Sequence, residues 1–129
     1  MSYVYSDARK LELKDKIGDF ECVTLIRHFT RAPNTAAWRE GAKVLGNKNL
    51  AEGTAVATFV DGKWPGKAHG NHSAFYLGQV SDGIYLLDQW PNMETKQKIS
   101  KRFIRSLGKD KKGNCIRPTE NADAYSVIE

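Results

Sequence analysis

A chain of 129 residues has room for one domain with a real core, and one domain over residues 1–129 is expected. Its 40% hydrophobic and 27% charged residues are ordinary for a soluble globular protein, and two cysteines are too few for a disulfide scaffold. No apolar run approaches the roughly 18–20 residues that span a bilayer, so no membrane insertion is expected. The N-terminal MSYVYSDARKLELKDK offers no stretch for a signal peptide, so export is expected to use no cleaved signal.

The net charge of +5 gathers in Lys96, Lys98, Lys101, Arg102, Arg105, Lys109, Lys111 and Lys112. A basic surface favours polyanions, either nucleic acid or an acidic wall polymer. It is equally the mark of a solvated face.

In chain order, residues 6–16 are polar with scattered leucines and predict a short helix. Residues 22–31 predict a two-faced helix. Cys22, Leu25, Ile26 and Phe29 follow the i, i+3, i+4, i+7 rule on one side, and Thr24, Arg27, His28 and Arg31 follow it on the other. Pro33 stops it. A second short helix is predicted over 35–44, with Thr35 as N-cap and Trp38 facing inward. After Gly53 the period becomes extended. Strands are predicted at 54–60, 72–80, 84–90, 99–107 and 124–128, with the second and third joined at Ser81-Asp82-Gly83. Helices followed by a mostly antiparallel sheet make an α+β domain.

Cys22 falls at the start of the first predicted helix, on its apolar face. Unpaired N–H groups and the macrodipole stabilise an anion there, which favours a thiolate. The same position suits an inert core cysteine. A Cys22–Cys115 bridge would silence the thiol, and both cysteines are expected to be free.

Three histidines are candidates to partner it. His28 lies on the polar face of its own helix. His69 lies in the glycine-rich loop Gly66–Asn71 without a fixed direction. His72 opens a strand straight after that loop, where it can face a cysteine at a helix start. Gly66 and Gly70 would let a substrate backbone approach, Asn71 adjoins them, and Trp64 and Trp90 are candidate groove walls.

A base needs an orienting group on its other ring nitrogen. Asp88 is the choice and Gln89 the reserve, decided by the hairpin. A two-residue Asp82-Gly83 turn puts His72 on one face with Gln89. An odd loop such as Val80–Asp82 puts His72 and Asp88 on one face as diagonal neighbours. His69 and His72 with Cys22 and Asp88 also offer metal-ligand types, but without a close ligand spacing. No metal and no cofactor are expected.

Glu21-Cys22-Val23, Trp38…Gly41, Gly53-Thr54-Ala55-Val56-Ala57, Gly70-Asn71-His72-Ser73-Ala74 and Asp88-Gln89-Trp90 together resemble small NlpC- and CHAP-type cysteine amidases of papain-like fold. Within that group the chain looks most like the type VI secretion amidase effectors. The resemblance implies a cysteine amidase acting on peptidoglycan stem peptides. Cys22 would be the nucleophile, His72 the base and then the acid, and Asp88 the orienter. It implies cleavage of the meso-diaminopimelate–D-alanine cross-link, with the D-glutamyl–diaminopimelate bond as alternative. It further implies delivery by the secretion apparatus into a rival bacterium's periplasm, and a cognate immunity protein in the producer. A housekeeping wall hydrolase is a second reading. A basic nucleic-acid-binding domain is a third, although Phe103 is the lone aromatic among the basic residues and a stacking platform needs more.

Overall fold

The computed structural model describes residues 2–129. Among them are one α-helix, α1 (Cys22–Phe29), and six strands: β1 (Glu40–Lys43), β2 (Ala55–Thr58), β3 (Ser73–Val80), β4 (Gly83–Asp88), β5 (Ser100–Arg105) and β6 (Tyr125–Ile128). The strands form one antiparallel sheet in the order β1-β6-β2-β3-β4-β5. The last strand thus enters between β1 and β2. The architecture is α+β, with less helix than the sequence predicts.

The losses have local causes. Residues 6–16 hold only a 3-10 turn at Ala8–Leu11. Helix α1 stops at Phe29 because Thr30 Oγ1 donates to Ile26 O (2.8 Å) and accepts from Ala32 N (3.1 Å), closing the chain into a turn. The helix predicted over 35–44 does not form. Thr35–Ala37 is a 3-10 turn in which Thr35 caps nothing, and β1 starts at Glu40. In that window only Trp38 and Val44 are deeply buried, a spacing that makes no helical stripe. Gly41 instead permits close pairing with β6: a Cβ there would sit 2.5 Å from Glu129 Cγ and 3.0 Å from Val127 O. Trp38 does face inward, and its Nε1 donates to Pro33 O (2.9 Å).

Alternation along the strands builds a core on each face of the sheet. On one face Leu25 and Ile26 of α1 pack with Ala55, Ala57, Phe75, Leu77 and Leu87. On the other Val56, Ala74, Tyr76, Ile84 and Leu86 are covered by Val44, Ala122 and Ala124.

The β3–β4 hairpin sets which side chains share a face. Its loop is Ser81-Asp82, since Val80 pairs with Gly83. Carried unbroken, that register would put even positions opposite odd ones. Between Gly78↔Tyr85 and Tyr76↔Leu86, however, Leu77 is an extra residue on β3. This bulge restores even-with-even pairing, so Phe75 faces Leu87 and His72 becomes the diagonal neighbour of Asp88. Neither hairpin loop drawn from the sequence forms, and the bulge rather than the turn decides the face.

Candidate active site

Residues 17–21 form a tight mount for α1. Gly18 (φ 61°) and Phe20 (φ 70°) both take left-handed backbone, and Phe20 N donates to Ile17 O (3.0 Å). Asp19, not Glu21, closes the helix start: its Oδ1 accepts from Thr24 Oγ1 (2.6 Å) and from Glu21 N (3.1 Å). Those two hydrogen bonds hold the Asp19 carboxyl below its usual range. Cys22 is the first helical residue and is 8% exposed, while Leu25 and Ile26 anchor the helix in the core. The Cys22 backbone N–H has no acceptor among the described residues, as expected of the first turn of a helix.

Immediately before β3, His72 is placed between Cys22 and Asp88. His72 Nε2 lies 2.8 Å from Asp88 Oδ2, which leaves Nδ1 as the ring nitrogen open to the Cys22 thiol. The His72 backbone N–H is fixed separately, donating to Thr58 Oγ1 (3.0 Å). Trp90 stacks edge-on against the imidazole, with ring centroids 5.9 Å apart.

Asp88 is fully buried and serves three partners. Beyond His72, Arg102 Nε donates to Oδ2 (2.8 Å) and Lys96 Nζ sits 2.7 Å from Oδ1 as a charge contact. Both cations also lie over the Trp90 ring, Lys96 Nζ at 4.5 Å and the Arg102 guanidinium at 5.1 Å.

This arrangement sets the protonation states. Burial pushes the Cys22 thiol up, but hydrogen bonding and charge from His72, with help from Ser73, outweigh it and hold the thiol below its usual value. Burial pushes His72 down, but its bonds and charge interactions with Asp88 and Cys22 win and raise it to about 9. Burial would raise the Asp88 carboxyl, yet His72, Arg102 and Lys96 hold it well below the usual carboxylate range. The Lys96 ammonium is lowered by its own burial and by Arg102, against the pull of Asp88. The shifts favour a thiolate–imidazolium pair steadied by a buried carboxylate.

The pair opens on a cleft of about 350 Å³ whose walls include Glu21, Trp64, Gly66, Lys67, Asn71 and Trp90. Larger hollows, about 560 Å³ beside Gln79 and about 550 Å³ beside Phe20, contain neither Cys22 nor His72.

Cys22, His72 and Asp88 are therefore brought together, and Trp90 and Asn71 line the cleft they open on. Asn71 Oδ1 accepts from Lys67 N (2.8 Å) and ties the glycine-rich loop across itself. Gly70 lies outside the lining, and Gly66 takes the place next to the cleft. His28 and His69 are exposed. Both cysteines are free. Gln89 is buried on the opposite face from Asp88 and does not touch His72; it binds Ile17 and Glu21 instead. Among the described residues no group of three His, Cys, Asp or Glu is set to hold a metal, and two cations beside Asp88 would repel one.

Sequence reasoning missed Ser73, Lys96 and Arg102 at this site. The last two stand within the basic segment read as a polyanion surface. Lys96 is only 4% exposed and Arg102 is turned toward Asp88. Two neighbours are also neutralised: Lys98 pairs with Asp15 and Arg105 with Asp82. The periodicity of β5 gave a hint, since Arg102 and Ile104 share a face and Ile104 is buried.

Residues 6–128 match the family model described as domesticated amidase effector 2. The chain is 44% identical over 133 aligned residues to a type VI secretion amidase effector 2 protein of Salmonella typhi, covering all of both chains. It is 32% identical to a domesticated amidase effector 2 of Ixodes scapularis, over 84% of this chain and 70% of that one. A solved structure of a type 6 secretion amidase effector 2 superposes with a TM-score of 0.93 at 44% identity, covering 98% of this chain and 94% of the other.

Proposed function

The chain belongs to the amidase effector 2 family, and from that premise we propose that it is a cysteine amidase that cuts peptidoglycan stem peptides as an antibacterial type VI secretion effector. The observation that carries the reading is that Cys22 and His72 share the wall of one cleft while His72 Nε2 lies 2.8 Å from the buried Asp88 Oδ2. A cysteine at a helix start facing a strand histidine is also the placement expected of a papain-like enzyme.

In this mechanism the Cys22 thiolate attacks the carbonyl carbon of the scissile amide. The developing oxyanion accepts from the Cys22 backbone N–H, which has no other partner. His72, protonated at rest, gives its proton to the leaving amine as the C–N bond breaks. A thioester remains on Cys22. His72, now neutral, takes a proton from water, and the resulting hydroxide displaces the thiolate, which restores the thiolate–imidazolium pair and releases the acid. Asp88 holds the imidazole through Nε2 and balances its charge in both steps. Ser73 Oγ, buried near the thiol and without another partner among the described residues, is available to donate to the anionic form.

The bond cut in this reading is the meso-diaminopimelate–D-alanine cross-link. Stem peptides carry carboxylates, which suits a chain of net charge +5 with Lys67 on the cleft wall. Delivery by the secretion apparatus, action in a recipient's periplasm and a cognate immunity protein belong to the same proposal. No helix among the described residues is long and apolar enough to cross a membrane.

Mass spectrometry of muropeptides after digestion of purified sacculi tests both the chemistry and the bond. Cross-linked dimers should disappear and tetrapeptide monomers appear. Products cut between D-glutamate and diaminopimelate would replace the proposed bond with the alternative. Cys22→Ala should stay folded and leave the wall intact; wall cleavage by that variant would sink the thiol mechanism.

A further inference from the structure

Gln89 directs all three of its hydrogen bonds at the segment before Cys22. It is fully buried. Its Oε1 accepts from Ile17 N at 2.8 Å, and its Nε2 donates to Ile17 O at 3.1 Å and to Glu21 O at 2.8 Å. Both N–H donors are used, and the backbone N–H of Ile17 fixes which end of the amide is oxygen.

The third bond bears on catalysis because of the group that receives it. Glu21 O and the Cys22 N–H belong to one peptide unit. A trans peptide is planar, so its C=O and N–H point in opposite directions. Pinning the carbonyl from inside the protein thus aims the N–H away from Gln89. Drawing electron density toward the carbonyl oxygen also makes that N–H a stronger donor. Glu21 O also accepts from Thr24 N at a longer 3.2 Å, and as the N-cap carbonyl of α1 it takes the first bond of the helix. The Cys22 N–H is left open, and Glu21, Cys22 and Val23 all border the cleft.

We propose that Gln89 is a positioning residue for the oxyanion donor, acting through the Glu21–Cys22 peptide. The inference rests on the thiol mechanism given above. It adds that the last residue of β4 and the residue after it supply both halves of the catalytic apparatus. Asp88 orients the base on one face, and Gln89 orients the electrophilic N–H on the other. The two roles differ in what they serve. The thiolate depends on His72 and Asp88, whereas stabilising the tetrahedral intermediate depends on the peptide that Gln89 holds.

That difference supplies the test. Alkylation of Cys22 by iodoacetamide is a displacement at carbon that builds no oxyanion, so it reads the thiolate alone. Hydrolysis of a solubilised cross-linked muropeptide needs both. In Gln89→Glu the carboxylate can still accept from Ile17 N but cannot donate to Glu21 O. The expected result is a fall in kcat on the order of 10- to 100-fold. KM and the alkylation rate at neutral pH should stay within about twofold of wild type, and the pH profile of alkylation should not move in the uncharged Gln89→Met.

Equal losses in alkylation and hydrolysis would make Gln89 a support for the thiol alone and overturn the proposal. Undiminished kcat would overturn it as well. Gln89→Met, which buries no charge, carries the same comparison if the glutamate variant does not fold. If neither variant folds, Gln89 is a structural residue and the proposal falls. Cys22→Ala run in parallel keeps the questions separate. Hydrolysis by that variant would refute the thiol mechanism itself, whatever Gln89 does.

Discussion

The two faces of the β4 terminus solve different problems with equally buried polar residues. On one face Asp88 sits among His72, Lys96 and Arg102, a cluster of formal charges held by contacts of 2.7–2.8 Å. On the other Gln89 meets only backbone groups of the mount before α1. The charged face fixes protonation, because Asp88 favours the charged form of each of its three partners and they favour its own. The neutral face fixes geometry, because an amide can hold three backbone atoms without altering a nearby thiol's charge. A carboxylate at Gln89 would face two carbonyl oxygens. An amide at Asp88 would leave two cations without a counter-charge. The difference teaches why the two residues are not interchangeable although they are adjacent and both fully buried.

Breaking the charged face should have the larger effect. Asp88→Asn strands Lys96 and Arg102 without their anion, and loss of about 3–5 kcal/mol of stability is expected in denaturant titrations. The Asp88 carboxyl is lowered on folding, so its contribution is present above the unfolded value and lost as pH falls through the folded one. Wild type should therefore lose stability below about pH 4, and the variant should lack that slope. Activity should fall less than in Cys22→Ala. Its alkaline limit, set by His72 at about 9, should move to lower pH because the group that raises the imidazole is gone. An unchanged alkaline limb would separate Asp88 from the base.

On the neutral face the mount can be loosened without touching charge at the pair. Asp19→Ala removes the acceptor of Thr24 Oγ1 and Glu21 N. A stability loss of about 0.5–1 kcal/mol is expected by thermal melting, with a small fall in hydrolysis. A collapse of activity with unchanged stability would give Asp19 a role beyond closing the helix. The smallest effect belongs to His28. It is exposed and touches only Phe29 edge-on, so His28→Ala should keep stability within about 0.5 kcal/mol and leave the pH profile of Cys22 alkylation unchanged. A shifted profile would make it a second base.

How legible each part was follows from the range of the interactions involved. The apolar stripe of Cys22, Leu25 and Ile26 identified α1 because helical burial repeats locally. The strands after Gly53 showed in β-branched and aromatic runs, each within a few residues of its observed bounds. The second helix failed because Gly41 and its neighbours answer to β6, whose residues lie far away in sequence. In the sequence the choice between Asp88 and Gln89 rests on the parity of the hairpin loop. The choice agrees with the structure because the Leu77 bulge shifts the register by one, and a bulge leaves no periodic trace.

The sequence by itself determined the two-faced helix that carries Cys22, the strand that His72 opens and the residue types of a thiol–imidazole–carboxylate chain. Those features are short-range: they are written in spacing, and in a helix start that favours an anion. Only the tertiary structure decided that Lys96 and Arg102 turn inward to Asp88, that Ser73 lies beside the thiol, and that Gln89 grips the peptide of Cys22. These contacts join segments between 14 and 72 residues apart in the chain for the hydrogen bonds of Arg102 and Gln89. A buried charge or amide must find its partners wherever the fold brings them, and composition cannot tell an inward-turned lysine from a solvated one.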